Sequence, residues 1–148
     1  MDKKLRLKIV KELDTKITQA APEFVQTKIK SMYVWPAETV WQKSTEICCY
    51  FLILTPELKR GEDKVTLELA WSRLKRFPEL MQRPWLVTKE DLLTAHELQE
   101  GSVRIHALCD REFDWLPVST DSVAEAIDFV MTKLMEKGFP FLDSLQRG

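Results

Sequence analysis

At 148 residues, with 45% hydrophobic and 30% charged side chains, the chain has the size and composition of a single domain over residues 1–148, and is too short for two ordinary ones. Twenty-two Lys and Arg against 23 Asp and Glu leave a net charge of −1, so no overall positive excess draws it to acidic lipid or nucleic acid, and nucleic acid is not an expected partner. The longest strongly apolar run, residues 47–54, falls far short of the roughly 20 residues of a membrane span. Three cysteines, two of them adjacent, do not make the paired framework of a small secreted domain, and the Lys-studded residues 1–8 do not read as a signal peptide; a cytoplasmic location with reduced thiols is expected.

Leu5, Ile9, Leu13 and Ile17, with Val10 and Ala20 beside them, recur every three to four residues, which predicts a helix over 3–20 with one buried stripe. Pro22 ends it. Val25, Ile29, Met32 and Tyr33 then suggest a short helix running into a strand at Met32 to Trp35. From there the period changes to two. Residues 39–44 read as a short strand, and residues 47–54, apolar on both faces, as a central strand covered on each side. Residues 56–64, with Gly61, form a polar connection. Val65, Leu67, Leu69 and Trp71 alternate with Thr66, Glu68, Ala70 and Ser72, which predicts a strand with one buried and one wetter face. Val103, Ile105, Ala107 and Cys109 alternate with Arg104, His106 and Leu108 in the same way.

Between these two strands, Thr88 followed by Asp91 resembles a capping box before Leu92, Leu93 and Leu98, predicting a short helix that ends before Gly101. A long final helix starts near residues 119–121 and runs through Val123, Ile127, Val130, Met131 and Leu134 to Gly138. Gly138 suits a left-handed C-terminal position, with residues 139–142 as an apolar tail. The fold class expected is α+β: a mostly antiparallel β-sheet of four to five strands flanked by a long N-terminal and a long C-terminal helix, the connections being too short for crossovers.

Residues 65–72, continuing to Arg76-Phe77-Pro78, resemble a segment of the bacterial family called domain of unknown function 4304. So do Trp41-Gln42-Lys43-Ser44 and the closing Gly138-Phe139-Pro140-Phe141-Leu142, and the similarity follows most of the chain in order. The chain departs from the family pattern at 79–100 and at Asp114-Trp115-Leu116. The resemblance implies a fold and no activity. By analogy alone, some small bacterial domains of similar build are immunity proteins that neutralise toxins.

His106, Cys109 and Asp110 are residue types that ligate metals or pair as nucleophile and base. On a strand, however, positions three apart face opposite ways, so no catalytic residue, metal or cofactor is expected there. Cys48 and Cys49 are read as buried thiols facing opposite ways. No Gly-rich phosphate loop or Gly-x-Ser-x-Gly elbow occurs. Charge is distributed more informatively: residues 1–30 carry a net +4 and residues 88–128 a net −7.

Trp71 belongs to the buried alternation, whereas Trp35, Trp41, Trp85 and Trp115 fall near strand ends or loops, where aromatics serve either as edge seals or as binding anchors. The leading expectation is a non-enzymatic protein-binding domain whose acidic loop, Asp110, Glu112, Asp114 and Trp115, meets a basic protein partner such as a toxin. The alternative is a small-molecule or enzymatic site on an open sheet face around Trp41, Glu68, Arg104 and His106. A third reading joins Lys3, Lys4, Arg6 and Lys8 with Arg73, Lys75 and Arg76 in a nucleic-acid contact. A homo-oligomer is compatible with all three.

Overall fold

The computed structural model describes residues 1–29, 34–57, 59, 61–75, 77 and 83–147, with only the backbone of Arg147. Helix α1 (Lys3–Ala20) buries Leu5, Ile9, Leu13 and Ile17 at a spacing of four, the single stripe predicted from their periodicity. Each such side chain contributes roughly 1.5–3 kcal/mol when fully buried. The Asp2 side chain caps the helix by accepting from the Lys4 amide, and Pro22 follows its end. Residues 25–27 are not helical: they form strand β1 (Val25–Thr27), antiparallel to β2 (Thr39–Ser44). Two β-branched residues beside an available sheet edge favour pairing over an isolated helical turn. Trp35 lies in a turn closed by the Glu38 amide on the Trp35 carbonyl; Met32 and Tyr33 lie outside the described residues.

Strands β2, β3 (Cys49–Pro56), β4 (Lys64–Ser72) and β5 (Glu100–Arg104) follow one another as an antiparallel meander in the order β1-β2-β3-β4-β5. A short strand β6 (Leu116–Pro117) makes a sixth by pairing with Lys64 and Val65 at the start of β4. Every residue of β3 is buried, but the strand begins two residues later than the apolar run, and Ile47 at the head of that run lies in the preceding turn and is exposed. Strand β4 differs from the expected half-wet strand, because only Lys64 is not buried. Its second face lies under a smaller core of Val34, Val40, Cys49, Phe51, Ile53, Ala70 and Phe77. Val34, from before β2, and Phe77, from after β4, thus cover the face opposite the helices.

Strand β5 stops at Arg104, and Ile105–Leu108 turn into a short helix α3, where the alternation predicted a strand continuing to Cys109. Two physical facts account for this. Ile105, Leu108 and Cys109 also satisfy helical spacing, and β6 occupies the edge of β4 that a longer β5 would need. The intervening chain forms α2 (Lys89–Leu93), which has the capping box expected at Thr88 and Asp91.

Helix α4 (Val123–Lys133) lies beside α1 and continues through a π-helical turn (Leu134–Gly138) into α5 (Phe139–Ser144). Gly138 is thus not a left-handed cap; its φ of −71° is helical. What the position needs is room, since a methyl group there would come 2.6 Å from Leu134 Cδ1 and 3.1 Å from Leu69 Cδ2. The missing side chain lets the helix press against β4. Leu142 is buried, and Phe139 and Phe141 pack against the main core.

Candidate functional site

Asp110 and Arg111, directly after α3, both adopt left-handed backbone, with φ of 53° and 57°. Such positions cost a non-glycine residue of order 1–3 kcal/mol, so the surroundings must impose them. Here the amides of Cys109 and Arg111 both donate to the His106 carbonyl, and the Glu112 amide donates to the Cys109 carbonyl. The ensuing alternation sends odd positions inward. Phe113 meets the Phe129 ring edge-on at 4.9 Å, and Trp115 lies under the Arg104 guanidinium at 5.5 Å. Asp110, Glu112 and Asp114 are consequently exposed. Glu112 sits 3.7 Å from Lys133, while Asp110 has no ion pair among the described residues.

Opposite this turn stands α2. Leu92 packs against the core, but its neighbour Leu93 points away from it and is 83% exposed, because successive residues of an α-helix lie about 100° apart around its axis. Between α2 and α3 runs a groove made of two hollows, of about 480 and 200 Å³, that share Lys89, Leu92, Ala107 and Asp110. Val87, Leu92, Leu93, Ala107 and Leu108 form its apolar walls, and Lys89, Glu90, Asp110 and Arg111 its rim. Exposed Trp85 and Leu86 adjoin it, fixed to β5 where the Val87 amide donates to the Ser102 carbonyl and the Ser102 amide to the Trp85 carbonyl. Residues 89–93 and 107–115 together carry five carboxylates and two cations. Sequence reading found the acids and Trp115 but missed the groove wall, for which the adjacent Leu92 and Leu93 were the available signal.

The four residues placed on an open sheet face do not share one surface. Trp41 is fully buried on the helix side of the sheet, where its indole N–H donates to Asp14 Oδ1 at 2.8 Å. Glu68 and Arg104 are register partners on β4 and β5, as their alternation suggested, yet Glu68 is only 5% exposed. Arg83 covers it, donating from Nε and Nη2 to one Glu68 oxygen at 3.1 and 2.8 Å. The same guanidinium grips both Glu38 oxygens, at 2.8 and 3.1 Å. Glu38 also accepts the Thr55 hydroxyl at 2.6 Å and the Trp35 amide at 3.0 Å. Burial pushes the Glu68 carboxyl up, with the Arg83 charge acting against it. Burial also acts to lower Arg83, but the Glu38 and Glu68 carboxylates outweigh it and hold the guanidinium firmly charged.

His106 lies on α3, buried, with Nε2 3.8 Å from Asp114 Oδ1 and Nδ1 without a hydrogen bond among the described residues. Burial holds its pKa below the usual histidine value, with Asp114 opposing. His106 and Cys109 occupy a helical turn rather than a strand, so the opposite-face argument does not apply. Their settings still differ. Burial raises the Cys109 thiol against Lys133, whereas His106 faces Asp114, Arg111 and Arg104. The described residues contain no group of three or more His, Cys, Asp or Glu arranged to hold a metal, and no helix among them is long and apolar enough to cross a membrane. Cys48 lies in the helix-side core and Cys49 in the opposite one, and both are free thiols.

The cations of the third reading separate. The Met1 amine lies 4.0 Å from Asp63, just before β4, while Arg73, beyond the far end of β4, donates to the Leu145 carbonyl. Arg76 lies outside the described residues. No protein-family model, curated protein or solved structure matches the chain.

Proposed function

We propose that this protein is a binding domain whose α2–α3 groove and acidic turn take a basic polypeptide carrying an apolar anchor residue, as an immunity protein takes a toxin. The observation that carries the reading is the juxtaposition of Leu93, almost fully exposed, with the outward carboxylates of the strained turn after α3. An apolar centre ringed by charge is the anatomy of a hot spot, and the acid excess favours cationic partners and speeds their encounter. Phe113 and Trp115 act as anchors that preorganise the turn, which lowers the ordering cost of binding.

A fluorescein-labelled helical peptide with a leucine stripe flanked by lysines tests this by anisotropy. Binding is expected to weaken steeply with salt, and to fall about tenfold or more in D110K/D114K and in L93D, each carbon-centred or charge contact of this kind being worth roughly 1–2 kcal/mol or more. Equal affinity for an acidic peptide of the same pattern, or unchanged binding by both variants, would remove the reading.

A further inference from the structure

The molecule carries, on another surface, the kind of segment this groove is read to accept. Lys4, Leu7, Lys8 and Lys11 stand at spacings of three and four along α1 and make one stripe on its solvent side. They line a groove of about 790 Å³ that Thr120 and Asp63 close on the other side, with the Lys8 ammonium donating to the Thr120 carbonyl at 3.1 Å. Leu7 at its centre is 54% exposed. Residues 3–11 hold five cations and no carboxylate. The two acids beside them are already engaged, Asp2 as the helix cap and Asp63 by the Met1 amine. Lys3, Lys4, Lys8 and Lys11 have no ion pair among the described residues.

We infer that the occupant of the α2–α3 groove is the cationic α1 stripe of a second copy of this chain, Leu7 entering beside Leu93 and the lysines meeting Glu90 and Asp110 on the rim and Asp114 on the adjoining turn, segments in which five carboxylates outnumber Lys89 and Arg111. The inference rests on the groove reading above. It joins two different surfaces, so the contact is heterologous: a pair leaves one surface of each kind unfilled, and assembly either closes into a ring or grows with concentration. A net charge of −1 opposes such association little, since whole-molecule repulsion is small. A foreign cationic partner would compete with the α1 stripe for the same groove.

Light scattering behind size-exclusion chromatography tests this on the full chain. At low ionic strength the weight-average mass is expected to exceed the 17.3 kDa of one chain and to rise with concentration. It should return to one chain in about 1 M salt, where the screening length falls to about 3 Å. K4Q/K8Q/K11Q and E90Q/D110N/D114N should each be monomeric alone. Mixed, they should form a 1:1 pair and nothing larger, because the first retains the acidic groove and the second retains the cationic stripe. A monomeric wild type under all conditions overturns the inference, as does a mixture that stays monomeric. Should either triple variant fail to fold, L7S mixed with L93S gives the same readout with charge unchanged. If the wild type is monomeric yet binds the lysine-leucine peptide, the self-contact fails and the groove reading stands; if it does neither, both fail.

Discussion

At the scale of single residues, the buried Glu38-Arg83-Glu68 cluster shows how one contact weighs differently on its two partners. Glu38 has a side chain 1% exposed and is fully satisfied by Arg83, Thr55 and the Trp35 amide. Glu68 shares what remains of the guanidinium and is held above the usual carboxylate range mainly by burial. Removing the cation leaves two buried carboxylates, so R83M is expected to lose about 3–5 kcal/mol in urea unfolding. E68Q makes the Glu38–Arg83 pair neutral and retains an acceptor. A carboxyl whose folded pKa is raised stabilises the fold below its unfolded value and loses that contribution as pH rises through the folded value. E68Q should therefore match or exceed the wild type at neutral pH, and the difference should close on acidification. A wild type that gains on E68Q as pH rises would show the ion pair outweighing burial. None of this was legible in the sequence, because Glu38, Glu68 and Arg83 lie far apart along the chain and meet only when the layer over the second face closes.

At the scale of elements, periodicity was informative wherever a segment had one buried face and misleading where two periods coincided. Helix α1 and the positions of strands β2 to β4 follow from spacing, although β4 buries both faces where its alternation predicts one. The stretch from Ile105 to Cys109 suits both periods, and tertiary context decides: β6 takes the neighbouring edge and the chain coils. Gly138 reads as a helix terminus locally, but the structure uses it for close approach to Leu69. G138A should accordingly cost about 1–3 kcal/mol by overpacking, rather than the small gain that alanine brings to an ordinary helical site. A thermal midpoint equal to or above the wild type would show that Leu134 and Leu69 shift aside freely. The acidic turn lies between these cases. Its carboxylates and Trp115 were visible as a pattern, whereas the strained backbone that displays them depends on α3, which the alternation concealed.

At the scale of the whole molecule, the uneven charge along the chain becomes a partly cancelled, partly displayed arrangement. Acids of α4 lie near α1, where Asp128 is 4.0 Å from Lys16, and Glu100 is buried in the sheet. Glu97, Asp121, Glu125 and Asp128 also face outward, but Glu90, Asp110, Glu112 and Asp114 stand on α2 and the turn after α3, the elements that carry or adjoin the exposed Leu93. That coincidence of charge and apolar exposure gives the molecule one surface suited to protein recognition, at the β5 side of the sheet, and a basic one along the start of α1. Amide hydrogen exchange with and without the lysine-leucine peptide tests the central claim most directly. Slower exchange concentrated in residues 89–93 and 107–115, with β1 unchanged, is the predicted result; protection elsewhere, or none, would contradict it.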